Sequence, residues 1–246
     1  MNSISSHKSS NLSGDLIVPG DKSISHRSLI IGSLVNGRIE INNLLESEDV
    51  IATANALRIL GVQINKLNNK WEVFGSGIGN FYGSNYTLNM GNSGTGARLL
   101  MGLIAGSDIE ATFIGDESLS KRPMKRITSP LKKTGATIGN QTNNLPIKIK
   151  GNKIVLPIEY ESSVPSAQVK SSILLAGLSS LGKTTVIEPS LSRDHTERML
   201  NFFGANITTC QLDNMSWKIT LEGVPDLKPL NLNIPADPSS ASFPIV

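Results

Sequence analysis

The residues with chemical potential in this chain are cations and hydroxyls gathered at the openings of apolar segments. The first group is Pro19-Gly20-Asp21-Lys22-Ser23-Ile24-Ser25-His26-Arg27, directly before the apolar run Ser28 to Leu34. Lys22 and Ser23 are expected just before a first helical turn and Arg27 within it. Backbone N–H groups and the helix dipole attract anions there, and Lys, Ser and Arg are good donors to phosphate or carboxylate. The second group is Gly91-Asn92-Ser93-Gly94-Thr95-Gly96-Ala97-Arg98, whose glycines let backbone approach a ligand closely. The third is Ser166-Ala167-Gln168-Val169-Lys170, again a polar opening to an apolar run. Two later loops add Lys121-Arg122-Pro123 and Ser192-Arg193-Asp194-His195. Their arginines are suited to grip carboxylate or phosphate through two parallel hydrogen bonds. Any one of these stretches alone reads equally well as an ordinary helix cap or a solvated basic loop. Their recurrence in equivalent positions is what points to one anion-binding surface.

Other candidates are weaker. Gly177-Leu178-Ser179-Ser180-Leu181-Gly182-Lys183-Thr184 matches the nucleotide-binding P-loop letter for letter. That loop needs a strand before it and a helix after it. Here an apolar helix precedes and the strand Thr185 to Glu188 follows, so it reads as a helix-to-strand turn. His7 and His26 carry no pattern, and adjacent Asp194 and His195 would not face each other. Cys210 is placed on a strand and read as packing. Asp21, Asp49 and Asp194 sit in loops with nothing to assign them proton transfer. No metal-ligand spacing appears.

The elements that must position these groups repeat. Each copy has an apolar helix, a strand, a polar loop, a second helix, a glycine and another strand. The second helices are Val50 to Leu60, one carrying Met124, Ile127 and Leu131, and one ending before Gly204. Gly61, Gly135 and Gly204 stop them, roughly 70 residues apart, each leading into a strand. Pro123 is expected at a first helical turn. This alternation predicts an α/β architecture of three repeated helix-strand-helix-strand units. Pro238 to Val246 looks like the start of a fourth copy, so the chain is expected to be a fragment. The proline joints Val18-Pro19-Gly20 and Ile234-Pro235-Ala236-Asp237-Pro238 bracket the complete copies. The expected division is a disordered lead-in and first edge of a split domain over 1–19, a three-unit domain over 20–235, and a return to the split domain over 236–246.

Composition agrees with this picture. The 246 residues are 39% hydrophobic and 17% charged, which suits a globular chain rather than a disordered one. No apolar run approaches the ~20 residues that span a bilayer. Aromatics at 4% are too few for stacking along a nucleic-acid strand. A net charge of +3 and pI of about 9.0 fit a small anionic ligand about as well as a polyanion. One cysteine excludes internal disulfides, and the default location is the cytoplasm.

Pro19 to Arg27 and Gly91 to Gly96 resemble two signatures of the 5-enolpyruvylshikimate-3-phosphate (EPSP) synthase family. Leu119-Ser120-Lys121-Arg122-Pro123-Met124, Ser166 to Lys170, Arg193-Asp194-His195-Thr196-Glu197 and Asp237 to Ser240 resemble it in the same order. The likeness is to the bacterial branch whose third helix begins Ala-Gln-Val-Lys. It implies an inside-out α/β fold of the enolpyruvyl transferase type, with three such units per domain and the second domain mostly missing here. It also implies a reaction without metal or cofactor. The 5-hydroxyl of shikimate 3-phosphate attacks C2 of phosphoenolpyruvate, and phosphate leaves through a tetrahedral intermediate. By position, Lys22, Ser23, Arg27, Ser166, Ala167, Gln168 and Arg193 would hold shikimate 3-phosphate. Lys22, Asn92, Gly94, Arg122 and Gln168 would contact phosphoenolpyruvate, and Lys22 would take part in catalysis. The acid-base carboxylates would lie beyond Val246, leaving the fragment inactive alone. The resemblance further implies a monomer at full length and inhibition by glyphosate.

Two other readings compete. The sister transferase acting on UDP-N-acetylglucosamine shares the fold, but its pattern has Lys-Asn where this chain has Lys22-Ser23, and usually a loop cysteine. A non-catalytic anion-binding or nucleic-acid-binding module fits the pI, but not the low aromatic content or the clustering of the basic residues.

Overall fold

The computed structural model describes residues 5, 7, 13–139 and 143–245. Most of the expected lead-in, and the final residue, Val246, lie outside the described residues. The first unit comprises α1 (Lys22–Ser33), β1 (Asn36–Asn42), α2 (Glu48–Ile59), β2 (Gln63–Leu67) and β3 (Lys70–Ser76). The second comprises β4 (Tyr82–Asn89), α3 (Gly94–Ala105), β5 (Asp108–Ile114), the short α4 (Glu117–Ser120), α5 (Lys125–Lys133), β6 (Thr137–Gly139) and β7 (Ile147–Lys150). The third comprises β8 (Glu159–Glu161), α6 (Ala167–Gly177), β9 (Lys183–Glu188), α7 (His195–Phe202), β10 (Ile207–Gln211) and β11 (Trp217–Glu222). The chain then runs through β12 (Leu232–Asn233) to α8 (Pro238–Ile245).

Each unit builds one four-stranded sheet, in the orders β12-β1-β3-β2, β4-β5-β7-β6 and β8-β9-β11-β10. One edge pair in each is parallel and the rest antiparallel. In the second and third units the parallel edge strand precedes the unit's own first helix. In the first unit β12 supplies it from the far end of the chain, with Ile41 opposite Leu232. The three units are thereby closed into a ring. The joints beside β12 are also paired: Asp21 N donates to Pro235 O at 2.8 Å and Asp237 N to Pro19 O at 2.8 Å.

The first helices of the units are buried on every side. Ser25 to Ser33 of α1, Gly96 to Ala105 of α3 and Val169 to Gly177 of α6 are all buried. Such a helix carries small or apolar residues nearly all round, and the exceptions here are His26 and Arg27 in α1, Arg98 in α3 and Lys170 in α6. Leu99, Leu100, Leu103 and Ile104 of α3 are no more than 1% exposed. Each contributes roughly 1.5–3 kcal/mol by leaving water. Gly102 and Gly106 let α3 lie directly on the backbone of α6 at Ser172 and Ala176. The sheets form the outer wall, turning alternate residues such as Ile39 and Ile41, or Ile109, Ala111 and Phe113, onto the helices.

The glycine stops are as expected: Gly61, Gly135 and Gly204 have φ of 94°, 100° and 98° after α2, α5 and α7. The P-loop look-alike joins the end of α6 to β9, so it is a turn. Four readings need correction. Lys22 and Ser23 do not precede the first turn of α1 but open it, because Asp21 is the cap and accepts from Ile24 N at 2.7 Å. Pro123 lies outside α5, which is capped at Met124 and instead contains Pro130. Cys210 is exposed on edge strand β10 and packs nothing in the core. Each unit also holds two more strands than the repeat predicted: a closing strand (β3, β7 or β11) and the parallel edge strand.

Candidate anion-binding site

The polar openings of the three buried helices converge. Ser23 and Arg27 from α1, Thr95 from α3, Ser166, Ala167 and Gln168 from the start of α6, and Arg193 from the β9–α7 loop line one pocket of about 260 Å³. The first turn of each helix presents the positive end of its dipole and N–H groups with no partner inside the helix, of which Asp21 takes Ile24 N in α1 and Ser166 takes Val169 N in α6. Three such ends around one cavity favour negative charge there.

Arg27 is 3% exposed and held from three sides. Its Nε donates to Thr196 Oγ1 at 2.6 Å, Nη1 to Ser23 O at 2.9 Å and Nη2 to Ser171 Oγ at 2.9 Å. A guanidinium has five N–H groups, so two remain for a ligand. Burial pulls its pKa down to about 10, against the opposing attraction of Glu197, which leaves it charged at neutral pH. Arg193 Nη1 reaches Ser23 Oγ at 3.4 Å, so the second cation leans over the same hydroxyl.

Gln168 joins this pocket to a neighbouring cluster. Its Nε2 donates to Thr95 Oγ1 at 3.0 Å, and its Oε1 accepts from Arg98 Nη1 at 2.8 Å. Arg98 is 7% exposed, and its proton affinity is lowered by burial and then by Arg126 and Arg122. Its Nε has no partner. On the other side of the α3 opening, Arg122 Nη2 donates to Asn92 Oδ1 at 2.5 Å and to Ser118 Oγ at 3.3 Å. Asn92 in turn donates to Asp116 at 2.7 Å. Gly94 lies between the two arginines: a Cβ there would stand 2.9 Å from Arg122 Nη1 and 3.4 Å from Arg98 Nη1.

None of Arg27, Arg98, Arg122 and Arg193 forms an ion pair with a carboxylate among the described residues, whose ion pairs lie elsewhere. A group of partly buried cations left without counter-charge favours an anionic ligand, which relieves their mutual repulsion.

Of the residues expected at a site, Ser23, Arg27, Ser166, Ala167, Gln168 and Arg193 line the pocket, and Asn92, Gly94 and Arg122 form the adjoining cluster. Lys22 stands apart from the pocket lining, half exposed, with Nζ 3.2 Å from Asp49. The three carboxylates expected in loops have local work: Asp21 caps α1, Asp194 pairs with Arg198 at 2.7 Å, and Asp49, which lies in the first turn of α2 rather than in a loop, pairs with Lys22. His26 is buried against Thr53 Oγ1 at 2.9 Å, and His195 makes no hydrogen bond to Asp194. Sequence reasoning assigned no role to Thr95, Arg98 or Thr196. Arg98 carried a signal, being a lone cation within the first turns of an otherwise apolar helix.

The fold and this site define an α/β chain in which three buried helices open onto one cationic pocket. The chain belongs to the EPSP synthase (3-phosphoshikimate 1-carboxyvinyltransferase) family, whose model matches residues 6–246. It is 51% identical to the 3-phosphoshikimate 1-carboxyvinyltransferase of Rhodospirillum rubrum, covering 98% of this chain and 54% of that protein. It is 51% identical to the one from Parvibaculum lavamentivorans, covering 99% and 54%. The EPSP synthase structure from Acinetobacter baumannii matches with a TM-score of 0.85 at 42% identity, over 94% of this chain and 51% of that one. The chain therefore spans about half the length of the relatives it matches.

Proposed function

We propose that this chain forms the half of an EPSP synthase that holds the phosphate of shikimate 3-phosphate in the pocket and phosphoenolpyruvate beside Gly94 and Arg122. The observation that carries this is the convergence of three helix N-termini and unpaired arginines on two adjoining anion positions linked by Gln168. Arg27 and Arg193, with the hydroxyls of Ser23 and Ser166, take the phosphate of shikimate 3-phosphate. Arg122, Arg98 and the open backbone at Gly94 take the enol phosphate and carboxylate. Lys22 lies at the rim, and on this reading it exchanges Asp49 for phosphoenolpyruvate when the site fills.

The reaction is then an addition and an elimination. The 5-hydroxyl gives up its proton as its oxygen bonds to C2 of phosphoenolpyruvate, and C3 gains a proton. C3 then loses a proton, the C2–O bond to phosphate breaks, and the enolpyruvyl ether remains. The part played by these residues is to bring two anions together against their repulsion. Each charge-assisted hydrogen bond supplies roughly 1.5–3 kcal/mol, and correct placement lowers the barrier by several kcal/mol more. The proton-transfer groups belong to the half of the relatives' length that this chain does not span. On this reading Gly20 to about Pro235 is one domain, and the paired joints at Pro19 and Ala236 are its two crossings to another. The protein works as a monomer in the cytoplasm. Among the described residues no helix is long and apolar enough to cross a membrane.

The test is a ³¹P NMR titration of the chain with shikimate 3-phosphate, with a UDP-N-acetylhexosamine as comparison. Saturable binding of the first, weakened in Arg193→Ala, supports the reading. Preference for the nucleotide sugar would favour the sister activity instead.

A further inference from the structure

Behind the pocket lies a buried ionic cluster that the reaction above does not use. Lys170 of α6 is 1% exposed, and its Nζ pairs with Glu188 of β9 at 2.8 Å and Glu197 of α7 at 2.6 Å. Glu188 and Glu197 are 1% and 5% exposed. Burying three charges is costly, and well-packed apolar side chains in their place are often at least as stable. The cluster's hydrogen bonds show what it does instead.

Every polar atom of Ser192 is held by it. Ser192 N donates to Glu188 Oε1 at 2.8 Å, Ser192 Oγ donates to Glu188 Oε2 at 2.8 Å, and Ser192 O accepts from Lys170 Nζ at 3.4 Å. Ser192 stands in the loop Pro189 to Asp194, which has no helix or strand hydrogen bonding of its own. The next residue is Arg193, which is exposed and leans over Ser23. A long, exposed side chain on an irregular loop would ordinarily sample many orientations. Glu197 continues the device on the other side, because the adjacent Thr196 receives the Arg27 Nε–H bond at 2.6 Å.

We propose that the Lys170–Glu188–Glu197 cluster is a positioning device that clamps Ser192 and thereby aims Arg193 into the phosphate pocket. Lys170 also lies one turn beyond the Ser166 cap, so one helix carries both a wall of the pocket and the anchor of its cation. The inference rests on the pocket being the shikimate 3-phosphate position.

The experiment is a double-mutant cycle on the 246-residue chain with Ser192→Ala, Arg193→Ala and the double variant. Shikimate 3-phosphate affinity is measured by ³¹P NMR, loop order by backbone ¹⁵N relaxation, and folding by melting temperature. Ser192→Ala removes one donor to the buried Glu188 carboxylate, so the melting temperature should fall modestly with the fold retained. The expected result is that Arg193→Ala weakens binding about tenfold or more and Ser192→Ala several-fold. The double variant should be no weaker than Arg193→Ala alone, because Ser192 acts only through Arg193. The order parameter at Arg193 should fall in Ser192→Ala from the rigid range near 0.85 toward 0.6. Ser192→Thr, which keeps the hydroxyl, should restore both. Glu188→Gln should repeat the Ser192→Ala pattern; should it fail to fold, the Ser192 cycle still decides. Multiplying losses in the double variant, or unchanged order at Arg193, would overturn the positioning role. Absence of shikimate 3-phosphate binding by the wild-type chain would instead overturn the reading of the pocket, and the relaxation result would still report on the clamp.

Discussion

Gly94→Ala is the sharpest perturbation of the position proposed for phosphoenolpyruvate. Gly94 opens α3 after the Ser93 cap, with an ordinary backbone angle. Alanine is therefore tolerated by the fold, and at a helix start it stabilises by about 0.4–1 kcal/mol through the unfolded chain. The added methyl meets Arg122 Nη1 at 2.9 Å, Arg98 Nη1 at 3.4 Å and Leu119 Cδ1 at 3.6 Å. Ordinary contact begins near 3.5 Å, so Arg122 must yield by about half an ångström. It can, since only Asn92 and Ser118 hold it. The cost falls on whatever Arg122 and the bare backbone were gripping. Steric crowding of a filled site costs ~1–3 kcal/mol. A ligand with room to shift should lose about 1 kcal/mol, or roughly fivefold in affinity. One that fills the space, such as glyphosate, should lose up to about 3 kcal/mol, or more than a hundredfold. The assay is phosphate release by the complete enzyme carrying this half, with the phosphoenolpyruvate KM, the glyphosate inhibition constant and the melting temperature measured together. A normally stable variant with an unchanged inhibition constant would refute the steric argument. A lowered melting temperature would show that Gly94 serves the turn.

Arg27→Ala should weaken shikimate 3-phosphate by roughly 1.5–3 kcal/mol while leaving phosphoenolpyruvate within about twofold. It should also lower stability by about 2–4 kcal/mol, because three internal hydrogen bonds vanish from a buried site; calorimetry with denaturant melts checks both, and unchanged shikimate 3-phosphate affinity would remove Arg27 from the site. Burial lowers His26 from 6.5 to about 4, so the folded state binds fewer protons than the unfolded chain between those values. Stability is then retained above pH 6.5 and lost as pH falls toward 4, by about 2 kcal/mol between pH 7 and 5. His195, also lowered chiefly by burial, adds in the same direction. Urea melts at pH 7 and 5 should show this loss, and His26→Asn should remove half or more of it; equal stability at the two pH values would contradict the shift. The 246-residue chain alone should give no phosphate release with both substrates present, and turnover above background would show that proton-transfer groups are here after all.

The repeat was legible because its punctuation is local. Gly61, Gly135 and Gly204 each close a helix through a left-handed residue, which sequence spacing exposes directly. The order helix, Gly177 turn, strand likewise sufficed to dismiss the P-loop match. The polar openings of α1, α3 and α6 were visible because polar residues interrupt apolar runs. The parallel edge strands were not visible. Tyr82 to Asn89 is largely exposed and has no clean alternation, and β12 is two residues paired with a strand some 190 positions away. The closing strand β7 did show alternation at Ile147-Lys148-Ile149-Lys150 and could have been found. The partner of each site cation depends on side chains brought together from different units, as with Arg27, Ser171 and Thr196. The same is true of Lys170, whose burial between Glu188 and Glu197 no helical pattern announces. Lys22 shows the limit in the other direction: its motif is plain in sequence, yet its ammonium turns to Asp49.

The central claim is that the three helix N-termini form two adjoining anion positions. Amide chemical-shift mapping of the chain, titrated with shikimate 3-phosphate and then with phosphoenolpyruvate, tests it most directly. The account predicts that the first ligand shifts Ser23, Arg27, Ala167, Gln168 and Arg193, and that the second then shifts Asn92, Gly94 and Thr95. Shifts confined to the opposite end of the helices, around Gly106, Ile154 and Leu181, or none at all at saturating ligand, would contradict it.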